Sequence, residues 1–213
     1  MKTDLKIRIV LIGFILFNVS LSAQTDEWKT ATNKNGNITA KYNFSTRVNE
    51  DGNKVPLVET ITTAIGDVSL ESCITLMKNI SEHKEFRGEK SSKPIKIISE
   101  NEWIIYYYKD GNLLLPAVDG AYVMIFEENE ENRATFTITA DPTLIDKTGA
   151  SRISYAKEIY SFQVLENDLL KITISTSISP SFKVPVSIMK KAFPKRLFDN
   201  MEKFLELVKN DNK

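Results

Sequence analysis

The chain contains one thiol and one imidazole, Cys73 and His83. Placed together they could form a nucleophilic pair. On one expected helical stretch they stand ten residues apart, roughly 15 Å of helical rise, and cannot touch. Cys73 therefore reads as a small core residue. His83, in "SEHKEF", reads as an exposed side chain near a helix end. A metal centre needs several His, Cys or carboxylate groups to converge, and none is expected here. "EENEEN" (Glu127 to Asn132) is acidic but lacks the alternating ligands of a calcium loop, so it reads as a solvated hairpin tip. No G-x-S-x-G elbow, P-loop or dinucleotide fingerprint occurs, and no cofactor is expected.

Two polar residues could act inside a cavity, Asp119 and Arg152. A buried charge must be paired, so these two are candidates for a mutual pair or for holding a ligand head group. Five tyrosines, Tyr106, Tyr107, Tyr108, Tyr122 and Tyr160, are the remaining candidate donors for proton transfer. The run "WIIYYY" from Trp103 could stack nucleic-acid bases, but that mechanism also needs a basic surface. The charge balance supplies none. Setting aside Lys2, Lys6, Arg8 and Asp4, the 28 basic and 28 acidic residues become 25 and 27. A nucleic-acid partner is therefore excluded from the expectations.

Those four charges belong to a segment of its own. Lys2, Lys6 and Arg8 precede an apolar run from Ile9 to Phe17, and "SLSAQ" follows with small residues at a cleavage position after Ala23. Residues 1–23 thus read as a signal peptide, too short in its apolar part for a span of ~20 residues. No Cys stands at the cleavage point directly after Ala23, which argues against a lipoprotein. The expectation is export, to a periplasm or outside the cell. The rest, 24–213, has the length of one domain and shows no linker or internal repeat. Its one cysteine allows no internal disulfide, so the core must carry the stability.

The elements follow from periodicity. Asp26 to Asn33 is a short helix candidate. Ile38 to Val48 and Val55 to Ile65 read as strands joined by the Asp-Gly turn in "NEDGN". Ser69 is a helix N-cap before Cys73, Leu76, Met77 and Ile80, which share one face. Ser81 to Phe86 can begin a second short helix. Three hairpins follow: "IKIIS" with "EWIIYYYK", "YVMIFEE" with "RATFTITA", and "AKEIYSFQVLE" with "LLKITISTSI". In "ATFTITA" the residues Ala134, Phe136, Ile138 and Ala140 face one way and the threonines the other. A long amphipathic helix closes the chain, interrupted by Pro194. A curved antiparallel sheet with a long helix across its concave face is an α+β domain.

This order resembles the START domain, a helix-grip fold of the wider Bet v 1-like superfamily. Trp28 with "NKNGNITAKY" is similar to the family's opening Trp and first strand. "VETITTAIGDVSLESCITLMKNISEH" resembles its strand leading into a helix through a small polar cap. "WIIYYYKDGNLLLPAVDGAYVMI" resembles its aromatic strand, a Pro-x-x-Asp bend at Pro116 and Asp119, and the next strand. Arg152, Tyr160, Pro180 and Pro185 match further positions. Gly120 departs from the family's usual Arg, Ser181 and Phe182 from its glycines, and the His83 to Phe86 region from its tryptophan.

The resemblance implies an apolar cavity that binds a lipid or other hydrophobic small molecule. The implied lining is Trp103, Ile105 and Tyr107, then Phe136, Ile138 and Arg152, and from the helix Ile188, Met189, Phe193, Leu197 and Met201. Alternation places Trp103, Ile105 and Tyr107 on the opposite face from Ile104, Tyr106 and Tyr108, without saying which face is inner. The implied partners are the ligand and, transiently, a membrane surface, with the protein itself a monomer. Two other functions stay open: an enzyme of the cyclase or aromatase type, and a module whose cavity is filled by its own side chains.

Overall fold

The computed structural model describes residues 27–112, 115–130, 132–179 and 186–210, the side chains of 128–130 and 186–192 excepted. Residues 1–23, expected to be a signal peptide, the prolines Pro180 and Pro185, and the side chains of Ile188 and Met189 lie outside the described residues.

A ten-stranded sheet dominates. In chain order the strands are β1 (Lys29–Thr32), β2 (Ile38–Val48), β3 (Lys54–Gly66), β4 (Ser91–Ser99), β5 (Glu102–Lys109), β6 (Val118–Glu130), β7 (Arg133–Ala140), β8 (Ser151–Arg152), β9 (Tyr155–Val164) and β10 (Leu170–Ser179). The helices are α1 (Leu70–Lys78), α2 (His83–Arg87) and α3 (Val186–Asn210). Across the sheet the order is β1-β2-β3-β10-β9-β7-β6-β5-β4, antiparallel throughout, with the two-residue β8 parallel to β6. The three expected hairpins are β4–β5, β6–β7 and β9–β10.

One expected element differs. Lys29–Thr32 is a strand on β2, where Asp26 to Asn33 was expected to be helical. Short propensity loses to an open ladder: β2 offers unpaired backbone groups, and four residues of β1 satisfy them.

Alternation sets the inner face. Trp103, Ile105 and Tyr107 of β5, Tyr122, Met124 and Phe126 of β6, and Ala134, Phe136 and Ile138 of β7 are all buried. The threonines of β7 point away from this face. Helix α1 starts where Ser69 Oγ accepts the Ser72 amide at 3.0 Å, and it buries Cys73, Leu76 and Met77. Helix α3 lays Met201, Phe204, Leu205 and Val208 onto the sheet. Phe204 is the hub: its ring stacks on Phe162 at 5.9 Å and meets Phe86 edge-on at 5.1 Å. Burial raises the Cys73 thiol to about 12, so it is an inert core group. Among the described residues no three His, Cys, Asp or Glu side chains converge as a metal site would require, and no helix is long and apolar enough to cross a membrane.

Candidate functional site

Between the inner face of the sheet and α3 lies a cavity of about 320 Å³. That is the low end of the range for sites holding small organic ligands. Val58, Phe86, Ile153, Ile174, Ile178 and Met201 give it apolar walls. Asp110, Asn112, Pro116 and Arg196 line it too and are exposed, so they form its rim.

A charge cluster stands inside. Arg87 forks onto Glu158: Nη1 donates to Oε2, and Nη2 donates to Oε1 at 2.8 Å. Its Nε donates to Glu89 Oε1 at 3.1 Å, and Nη1 also donates to the Tyr160 hydroxyl at 2.9 Å. The guanidinium lies 4.1 Å from the centre of the Tyr107 ring. Local backbone explains why Arg87 and Glu89 meet here. Gly88 takes φ +64°, a left-handed turn that ends α2 and lets the residues on both sides aim inward. Glu158 arrives from β9, whose alternate residues Ala156, Glu158, Tyr160 and Phe162 are all buried. Burial alone would lower the Arg87 pKa; the charge of Glu158 outweighs this and holds it above the usual value. Glu89 goes the other way. Burial raises it, the Arg87 charge only partly offsets that, and Glu158 adds repulsion. Its Oε2 has no hydrogen-bond partner among the described residues.

His83 supports the cluster from behind. It is fully buried, against the sequence expectation of an exposed side chain. The bend at Asn79 and the turn of residues 80–82 fold α2 back on α1, bringing the ring to the Met77 carbonyl. Nε2 lies 2.8 Å from that carbonyl oxygen, so it must carry the proton and donate. Nδ1 is then an acceptor, and the Tyr107 hydroxyl donates to it at 2.7 Å. Burial, then the Arg87 charge, pull the imidazole down to about 3. At the rim end of β5, Lys109 donates to the Gly88 carbonyl at 3.1 Å. Burial and the nearby Arg196 charge pull its amine down to about 8.

Asp119 and Arg152 form the other ion pair. Arg152 Nε donates to Oδ1 at 2.7 Å and Nη2 to Oδ2 at 3.1 Å. The remaining guanidinium N–H groups bind the carbonyls of Pro142, Ile145 and Asp146. All five are thus engaged, and the pair ties the loop 141–150 to β6. Thr148 and Tyr106 also donate to Asp119 Oδ2. Burial alone would raise this carboxyl; the bonds from Arg152 and Thr148 outweigh it and hold it below the usual range.

Of the residues implied as lining, Tyr107, Phe193, Leu197 and Met201 stand at the cavity. Trp103, Ile105, Phe136 and Ile138 are buried in the continuous core, and Arg152 has the pairing just described. Arg87, Glu89 and Glu158 were not singled out by the sequence reading. Only Glu158 left a signal there: a carboxylate at an inward position of an otherwise apolar alternation.

No family model and no curated protein matches the sequence. Solved structures do match in shape. The STAR-related lipid transfer protein from Xanthomonas axonopodis shares 18% identity, with 86% of this chain and 99% of that one covered, at a TM-score of 0.69. Human StAR-related lipid transfer protein 5 shares 12%, covering 90% of each, at 0.64. The Zhui aromatase/cyclase from a Streptomyces species shares 5%, covering 73% and 93%, at 0.52. The chain therefore has the START-type helix-grip fold, an α+β architecture in which a curved antiparallel sheet grips its C-terminal helix.

Proposed function

We propose that the protein is an exported binding module that takes a lipid or other hydrophobic small molecule into the cavity between the sheet and α3. The cavity itself carries the reading: about 320 Å³ of space walled largely by apolar side chains. The solved structures of like shape that are named lipid transfer proteins support it. Uptake is driven by burial, about 0.8 kcal/mol for each methylene removed from water. The protein acts as a monomer and touches a membrane surface only while ligand passes. Residues 1–23 direct export, and the mature chain begins at Gln24; native material that begins at Met1 would remove this part of the reading.

The test of binding has two arms. Native mass spectrometry after mild purification is expected to show an apolar small molecule bound. Nile red, a neutral apolar dye, is expected to bind the wild type and to be blocked by Met201→Trp, which places a bulky ring at a cavity wall. Full Nile red binding by a folded Met201→Trp variant would remove Met201 from the site. A wild type that binds no apolar probe would favour the side-chain-filled interaction module. A second reading, an aromatase/cyclase-type enzyme, is favoured by one observation: Arg87, Glu158 and Tyr160 form a polar cluster inside the cavity. Turnover of an aromatic polyketide precursor would establish it.

A further inference from the structure

The charges on the cavity wall do not balance. Its described lining carries three cations, Arg87, Lys109 and Arg196, and four carboxylates. Two of the carboxylates are answered from outside the wall: Asp119 pairs with Arg152 at 2.7 Å, and Asp110 with Lys90 at 3.2 Å. Glu158 and Glu89 remain, and both are bonded to Arg87. Lys109 and Arg196 are left at the mouth with no ion pair of their own among the described residues. The two belong to one corner of it. Lys109 Nζ donates to the Gly88 carbonyl at 3.1 Å, and Gly88 packs beside Asn200, one turn of α3 beyond Arg196. The Arg196 charge reaches Lys109 strongly enough to help burial pull its amine down to about 8. Two cations thus face the opening of an apolar cavity, repelling one another.

We propose that the ligand of this cavity is an apolar chain ending in an anionic oxygen group, a carboxylate or a phosphate, held at the mouth between Lys109 and Arg196 while the chain points inward. The inference rests on the binding-module reading above and gives its ligand a class and an orientation. A single such group answers both cations. The Arg196 guanidinium offers a planar fork to two oxygens, and the Lys109 ammonium a point charge. At the inner end the same group would be stripped of water and would meet Glu158 and Glu89, with Arg87 already engaged by both. At the exposed rim it keeps part of its hydration. This leaves Val58, Ile174, Ile178 and Met201 as the wall around the chain.

The test displaces Nile red with three probes of equal chain length: decanoate, decyl phosphate and 1-decanol. At low salt the wild type is expected to bind at least one of the two acids about tenfold or more tightly than the alcohol, the worth of a hydrogen bond to a charged group. The tighter of the two names the head group. That preference is expected to shrink as salt is added, because the rim is open to screening. Arg196→Gln and Lys109→Gln are each expected to reduce it severalfold, and the double variant to bring it near one. Equal binding of both acids and the alcohol by the wild type would overturn the inference and leave the cavity reading intact. So would a preference that survives in the double variant, or one indifferent to salt, which would place the head group inside. The wild-type comparison decides the matter even if a variant fails to fold. Failure of Nile red itself to bind would defeat the cavity reading, and the inference with it.

Discussion

Mild acid should weaken this fold through a single imidazole. His83 is the only histidine of the chain and is fully buried. Its pKa in the folded protein is about 3, against about 6.5 in an unfolded chain. Above pH 6.5 the ring is neutral in both states, and its full contribution to stability is present. Below that, the unfolded chain takes up a proton that the folded protein refuses. Each pH unit then costs about 1.4 kcal/mol, until the folded pKa is reached. From pH 6.5 to 4.5 the loss is about 2–3 kcal/mol, a large part of the ~5–15 kcal/mol of a typical domain. The assay is urea unfolding of wild type and His83→Gln at several pH values across that window. Gln can donate to the Met77 carbonyl and accept from Tyr107, but it does not titrate. Comparing the two proteins cancels the contribution of every carboxylate common to both. Wild type is expected to lose about 2–3 kcal/mol relative to the variant. Proton NMR gives a direct check, because one imidazole gives one set of ring signals. Signals that shift with a midpoint near 6.5 in the folded protein would refute the reasoning, since water would then reach the ring.

Three further outcomes are expected. Glu89→Gln should stabilise the protein at pH 7, because the folded pKa of Glu89 is raised and its unfavourable charge appears as pH rises; the gain should vanish below about pH 4, and thermal melts showing an equal gain at both pH values would contradict this. Arg87→Leu leaves Glu158 and Glu89 buried without their cation and should cost about 3–5 kcal/mol in urea unfolding, with partial recovery in the Arg87→Leu, Glu158→Leu double variant; a cost within experimental error would mean that water screens the pair. Gly120→Ala should cost about 1–3 kcal/mol, because a Cβ at position 120 would collide with the Tyr122 ring and hydroxyl; the cost should fall in a Tyr122→Leu background.

The strands were legible because burial on one face writes itself as alternation. "ATFTITA" shows it most cleanly, and β7 buries Ala134, Phe136 and Ile138 as the pattern requires. The fold's outline followed from that periodicity and from the helical period of the last segment. Two local readings failed for one reason, that neighbours distant in sequence decided them. Lys29–Thr32 became a strand because β2 had an open ladder. His83 went inside because a bend at Asn79 supplied the Met77 carbonyl and β5 supplied Tyr107. The charge cluster was hidden in the same way. Arg87 and Glu89 look like ordinary surface residues around a glycine, and only the left-handed turn at Gly88 makes both face the cavity. Glu158 alone could have been found, as a charge placed where the alternation asks for an apolar side chain.

The seam between β3 and β10 bears on timing. Gly66 pairs with Leu170 and Val58 with Ile178, residues more than a hundred positions apart. Strands β1 to β3 therefore have no neighbour on that side until the last strand of the chain has been synthesised. Closing such a long loop costs entropy before any contact rewards it, and sheets built on distant pairings fold in roughly milliseconds to seconds rather than microseconds. A newly made chain cannot complete this sheet until its last strand is made, which is compatible with the export proposed above. The same lateness leaves the β3 edge open in the meantime, so the interval between synthesis and seam closure is when this protein is most exposed to aggregation.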